Sequence, residues 1–319
     1  METKEKINFR QVRDFGETFN VSVKFFRQNF KLFFQSLIFI AGPFLLISAV
    51  AGAFYQSNAV SMFSISKMGQ SNIFSQFGWT YLIFILASIL AHMALIGTVF
   101  SFMINYMEKG PEGFTVNDVG QTLVKNIGNI LSVFFILMFL TIIVIAAAGA
   151  TIFGLASAVP ALGILFGIAL FFGILIILPP VMWQLSVVYL IKMQEQGSVF
   201  KSFSRTSKAL KGNFWWTWVI MVCAVMAIGI ISMVFALPQA VYQMVLMFSH
   251  IKDASGETSI PFLVVATVCT FCSTLLYSGI YVISAFHYYS LAEQKDGIGL
   301  MERIDEIGNT PNNNEELQY

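Results

Sequence analysis

Residues Asn126–Ile191 read NIGNILSVFFILMFLTIIVIAAAGATIFGLASAVPALGILFGIALFFGILIILPPVMWQLSVVYLI, sixty-six positions without one Asp, Glu, Lys or Arg. A helix crossing a hydrocarbon core about 30 Å thick needs about 20 apolar residues. The stretch is long enough for two crossings, and Ser157-Ala158-Val159-Pro160 supplies the turn between them. Four more charge-free stretches surround it: Leu32–Ser66, Met68–Met107, Gly212–Ile251 and Thr258–Ala292. Together the five hold 216 of the 319 residues. A water-soluble domain needs surface charge to stay dispersed. A charge at the bilayer centre costs about 2.5–3.5 kcal/mol on insertion scales, so a membrane demands this pattern.

The chain therefore reads as all-α, an integral membrane bundle of six transmembrane helices. The spans fall at about 33–55, 79–107, 130–156, 161–191, 214–248 and 260–290. Residues 1–310 form a single membrane domain, followed by an Asn/Glu-rich tail, 311–319, expected to be mobile. With both termini on one side, sixteen Lys and Arg share that side, and only Lys67 and Lys252 lie opposite. The positive-inside bias then makes both termini cytoplasmic, and a bacterial inner membrane is the expected location. Met1–Arg13 has no apolar core of a signal peptide. No Lys/Arg-rich domain is present to bind nucleic acid.

A threefold repeat underlies the spans. Asp14-Phe-Gly-Glu-Thr-Phe19 recurs as Asp118-Val-Gly-Gln-Thr-Leu123, each read as a capping box, and Ser198 starts a third copy. The first and third copies stay in register as far as Asn29-Phe30 and Asn213-Phe214. The units run at about 9–107, 115–191 and 198–290, each an amphipathic helix followed by two spans. The repeat permits either a pseudo-threefold ring or a linear array.

The three capped segments are expected to be cytoplasmic interfacial helices. One apolar face carries Phe15, Phe19, Val23, Phe26 and Phe30; the others carry Val119, Leu123 and Ile127, and Val199, Phe203, Leu210 and Phe214. The opposite faces are basic, with Lys24, Arg27 and Lys31 in the first and Lys201, Arg205, Lys208 and Lys211 in the third. Such bases fix topology and anchor a bundle, or form a surface for anionic lipid headgroups or a protein partner.

Chemistry-bearing residues are sparse. His92, Cys223, Cys269 and Cys272 fall near the bilayer midplane; zinc is the remote reading and small apolar cysteines the plain one. His287, beside Tyr288 and Tyr289, reads as an interfacial anchor, and His250 belongs to an outer loop. No H-E-x-x-H, phosphate-binding glycine loop or G-x-S-x-G occurs, so no enzyme, metal or cofactor is expected. Gly42-Pro43, Pro179-Pro180 and Pro238 interrupt spans, as in transporters or as plain kinks. Small-residue seams at Ser48/Gly52, Ala146/Ala150, Gly163/Gly167 and Ala169/Gly173 either close the bundle or dock a neighbour.

Leu178-Pro-Pro180, Glu195-Gln-Gly-Ser-Val-Phe200 and Ser202 to Lys211-Gly-Asn-Phe-Trp215 resemble a broad set of uncharacterised bacterial polytopic proteins. These are similar to the membrane domain attached to some glycerophosphoryl diester phosphodiesterases. His287-Tyr-Tyr-Ser-Leu-Ala-Glu-Gln-Lys295 with Gly299-Leu-Met-Glu-Arg-Ile304 looks like the version in the Bacteroidota. The resemblance implies a six-span inner-membrane fold. It transfers no catalytic residue, because the phosphodiesterase chemistry belongs to a separate soluble domain. The leading expectation is a non-enzymatic accessory or scaffold subunit of a larger transport or secretion assembly, with membrane lipids and other integral membrane proteins as partners. A carrier or channel for a neutral or amphiphilic solute is the alternative, and a lipid-acting enzyme ranks third.

Overall fold

A computed structural model describes residues 5–62, 73–252 and 260–297. Among the described residues ten α-helices carry the fold: α1 Phe15–Ser36, α2 Gly42–Met62, α3 Ile73–Lys109, α4 Val116–Lys125, α5 Ile127–Ala158, α6 Pro160–Glu195, α7 Val199–Leu210, α8 Phe214–Lys252, α9 Ile260–Leu276 and α10 Ser278–Asp296. Among the described residues no strand forms. Six helical stretches are long and apolar enough to cross a membrane, which makes the chain a multi-pass membrane protein. The tail 311–319 and Lys67 lie outside the described residues, as do the side chains of His250 and Lys252.

The caps explain where helices begin. Asp14 Oδ1 accepts from the Glu17 amide at 2.7 Å, and Glu17 Oε2 accepts from the Asp14 amide at 3.0 Å, a complete capping box. Ser198 Oγ accepts from the Lys201 amide at 3.2 Å. The middle unit differs from its expected start. Its N-cap is Thr115, and Asp118 is the N3 partner whose Oδ2 accepts from the Thr115 amide at 2.8 Å. Thr115 caps first, so Val116 and Asn117 are already helical and Asp118 takes the role of Glu17.

The first amphipathic segment is also not a separate interfacial helix. α1 runs through a π-helical turn, Leu37–Ala41, directly into α2. There the Gly42 amide donates to the Leu37 carbonyl, five residues back. Pro43 lacks an N–H and crowds the preceding turn, and the wider turn absorbs both defects without opening the helix. Pro179, Pro180 and Pro238 lie inside continuous helices, so these prolines break no span.

Each unit ends its return helix on a left-handed residue. Gly110, Gln196 and Gly297 have φ of 79°, 53° and 61°. Their amides donate to the carbonyls of Tyr106, Lys192 and Glu293, the same αL cap three times. Each amphipathic segment likewise ends on an asparagine folded back one turn: Asn29 Nδ2 to Phe25 O, Asn126 Nδ2 to Thr122 O and Asn213 Nδ2 to Ala209 O. The interval from cap to asparagine is about four residues, one helical turn, shorter in the middle unit.

The units close into a ring. The return helices α3, α6 and α10 pack on one another in their proximal halves, the end where α1, α4 and α7 gather. Val99, Met103, Tyr106, Trp183, Val187, Leu190, Val282 and Phe286 fill that contact and are all buried. Each amphipathic helix packs on the return helix of the unit before it: α4 on α3, α7 on α6 and α1 on α10. Chain continuity provides the first two. The third joins residues 277 positions apart, where the Arg13 amide donates to Ser290 Oγ at 2.9 Å and that hydroxyl donates to Arg13 O at 3.2 Å. Just upstream, Phe9 stacks on Phe286 at 4.7 Å, seating the segment before α1 across the proximal end.

The face packed on the bundle only partly coincides with the apolar stripe, which contributes Val119 in α4 and Val199 in α7. α1 buries Thr18, Ser22, Phe25, Asn29 and Phe33, and α7 buries Val199, Ser202, Thr206 and Ala209. In the α1 stripe Val23 and Phe30 face outward, Phe30 61% exposed, while Phe15, Phe19 and Phe26 are half-buried against the core. Small hydroxyls turned back onto their own helices, such as Ser22 Oγ on Thr18 O, let the backbones approach closely.

Candidate functional site

Two regions of the ring carry polar or open features, one at the proximal end and one in the distal half. At the proximal end α7 lays a basic face along α10. Lys201, Ser204, Arg205 and Lys208 fall on one side of α7, and with Tyr288 and Lys295 they line a cavity of about 360 Å³. Arg205 is pinned by Glu195 and by Asp296 Oδ2, the latter at 3.6 Å. Lys295 Nζ donates to the carbonyls of Lys208 and Lys211, capping the negative end of α7. Lys201 and Lys208 keep exposed ammonium groups at the cavity rim.

The first basic set is built differently. Lys24 pairs with Glu5 at 3.3 Å on the surface, and Arg27 and Lys31 stay exposed along α1. The cavity that Lys24 lines shares no residue with the α7 cavity. The structure thus gathers Lys201, Arg205 and Lys208 around one cavity, places Lys211 at its edge, and leaves Lys24, Arg27 and Lys31 on a separate flank.

Between α3 and α4, Lys109 Nζ reaches Asp118 Oδ1 at 2.5 Å. That contact, followed by the Thr115 hydroxyl and amide, holds the Asp118 carboxyl well below the usual carboxylate range.

His287 is not an interfacial anchor. It is 1% exposed, with Thr217 Oγ1 2.9 Å from Nε2. The Trp183 ring meets it edge-on at 5.4 Å, while Trp183 Nε1 donates to Ser284 O at 3.1 Å. A buried imidazole needs a hydrogen-bond partner. Thr217 provides it, and the three residues tie α6, α8 and α10 together.

In the distal half the outer units are packed. Ala53, Phe262 and Ala266 form a small core with Tyr242 against it. Gln239 Nε2 donates to Gln56 Oε1 at 2.6 Å, and Thr270 Oγ1 donates to Gln239 Oε1 at 3.5 Å. The middle hairpin has nothing comparable. From Met138 to Pro179 only Gly163 is buried, and its close neighbour is Ala156 of the same hairpin. A Cβ added at Gly149, Gly154, Gly167 or Gly173 would meet open space. The small-residue seams therefore divide. Gly52 abuts Phe84 and Ser48 bonds Ser88 at 3.1 Å, closing α2 on α3, while Gly167 and Gly173 stay open.

His92 lies midway along α3 and remains exposed, with the Tyr281 hydroxyl 3.0 Å from Nε2 and 3.2 Å from Nδ1. One hydroxyl satisfies one ring nitrogen, so the other is left to the surroundings. Cys223, Cys269 and Cys272 are free thiols. Among the described residues no three His, Cys, Asp or Glu side chains gather closely enough to hold a metal ion. Gln56, Gln239 and Thr270 escape a search of the spans for ionisable groups, because amides carry no charge. A Gln within an apolar run was their available signal.

Comparison with protein-family models, with curated proteins and with solved structures finds no match for the chain.

Proposed function

We propose that the chain is a non-enzymatic accessory or scaffold subunit of a larger membrane assembly, and that the α5–α6 hairpin is the surface it offers to that assembly. The open distal half of this hairpin carries the reading. Helices meet in lipid through close backbone approach at small residues, because burial from water offers no drive there. Gly149, Gly167 and Gly173 present such notches with nothing seated in them. In this reading the membrane is a bacterial inner membrane and both chain ends are cytoplasmic. The exposed bases of α1 and α7 then rest among anionic headgroups of the inner leaflet. The resemblance to the membrane domain of some glycerophosphoryl diester phosphodiesterases belongs to the same reading, as a fold without transferred chemistry.

Native purification in a mild detergent tests it. A stoichiometric membrane protein should co-purify with the wild-type chain and be lost from a Gly167→Leu/Gly173→Leu variant that still elutes as a folded monomer. A wild-type chain that emerges alone contradicts the proposal.

A carrier for a neutral or amphiphilic solute is the second reading, favoured by the half-satisfied imidazole of His92 at mid-membrane depth. Polar groups at such depth mark substrate paths by default. His92→Phe should then abolish solute uptake while leaving any co-purifying protein in place; unchanged uptake removes this reading.

A further inference from the structure

Two cavities meet at the proximal end of the three-helix core, apart from the open hairpin and independent of its reading. The larger, about 480 Å³, lies between α3, α4, α6 and α10. A small one of about 20 Å³ extends it toward α7. Arg10, Gln194, Glu195 and Tyr289 line both. Arg10 comes from the segment that Phe9 anchors on Phe286, so its position is fixed by aromatic packing.

Gln194 Nε2 donates only to the weak acceptor Met107 Sδ at 4.0 Å, and other donors at this junction are left wanting an acceptor. Tyr289 is 4% exposed; the Gln194 amide lies beside its oxygen, and its O–H has no acceptor among the described residues. Among the described residues the half-buried Arg10 guanidinium has no ion-pair partner, although acids are close. Glu195 and Asp296 are both engaged by Arg205, and Glu293 has an interaction of its own. Lys125 stands on the opposite wall, and Thr122 offers a hydroxyl whose oxygen already accepts from Asn105 Nδ2 at 2.8 Å. The exposed Glu108 is the opposing charge on the rim. A buried donor without an acceptor is rare in native structures. A guanidinium fork, an ammonium and two hydroxyls carried by residues that line one cavity suit a tetrahedral oxyanion.

We propose that this double cavity binds a phosphate group, with Arg10 and Lys125 supplying charge and Tyr289, Thr122 and the Gln194 amide supplying neutral donors. The group belongs either to a soluble phosphate ester or to the headgroup of an anionic lipid, and both present the same oxygens.

Calorimetric titration of the full chain in neutral detergent with inorganic phosphate tests the soluble source. Native mass spectrometry of the chain from phosphatidylcholine nanodiscs, with and without phosphatidic acid, tests the lipid source. Saturable binding is expected in at least one arm. It should weaken about tenfold in Arg10→Gln and about fivefold in Tyr289→Phe, the effects of losing a charged and a neutral hydrogen bond. Lys24→Gln, on the separate flank, should leave it unchanged. Tyr289→Phe preserves the shape of the core, so a folding defect does not imitate the result. Binding in neither arm overturns the proposal, as does binding that Arg10→Gln and Tyr289→Phe leave intact or that Lys24→Gln weakens equally.

Discussion

The distal halves of the outer units and the distal half of the middle hairpin are all apolar enough to span a membrane and end in different states. α2, α8 and α9 press together around Ala53, Phe262 and Ala266, fastened by the Gln56–Gln239–Thr270 chain. α5 and α6 touch little but each other over the same depth. The middle hairpin is somewhat the more apolar, but both regions pass as spans. What separates them is the placement of a few polar and small residues. A Gln inside hydrocarbon must find a partner on another helix. A Gly without a Gln leaves a seam that any backbone can enter.

The largest expected difference lies along α6 itself, whose proximal half is core and whose distal half is free. Trp183→Ala should cost about 3–5 kcal/mol, as cavity-forming aromatic truncations do. Ile168→Ala should stay within about 0.5 kcal/mol. Reversible unfolding in mixed micelles measures both, and equal losses would mean that the hairpin is packed after all. Next in size, Gln239→Leu leaves Gln56 without its donor and Thr270 without its acceptor. A loss of about 0.6–1.7 kcal/mol is expected from membrane hydrogen-bond values. A neutral result would show that packing alone holds the outer units.

The smallest effect concerns the Lys109–Asp118 contact, which fixes α4 against α3. The folded carboxyl titrates below its unfolded value, so the contact is fully present above the ordinary carboxylate range and is lost only as pH falls through the depressed value. Spin labels at Glu112 and Gln121 should keep one distance through mild acid and broaden only in strong acid. Asp118→Asn should broaden it at every pH.

Much of this architecture was legible in residue order, for stated reasons. Charge exclusion marks spans because the bilayer centre tolerates so little charge, and all six are found. The Ser157–Pro160 turn is visible because Pro starts a helix well, and α6 begins on Pro160. Caps are legible where one candidate stands alone, as at Asp14 and Ser198. They mislead where Thr115 and Asp118 compete three residues apart. The choice of ring over linear array was not legible, since the α1–α10 contact rests on Arg13 and Ser290, an ordinary pair at great separation. His287 was misplaced because flanking tyrosines suggest an interface, whereas Thr217, seventy positions away, makes burial tolerable. Among the named bases, Lys201, Arg205 and Lys208 do share a cavity, but the register that aligns Lys24 with Lys208 does not bring them together. Arg10 and Tyr289 carried no pattern at all, because their relation exists only once the ring has closed.

A photoactivatable side chain at Gly167, compared with one at Val234 on the exposed face of α8, tests the docking account most directly. Both sites face outward in the isolated chain. Irradiation of intact membranes should yield a discrete protein adduct from position 167 and none from position 234. Adducts from neither site, or equally from both, would contradict the assignment of the middle hairpin as the surface that meets a partner.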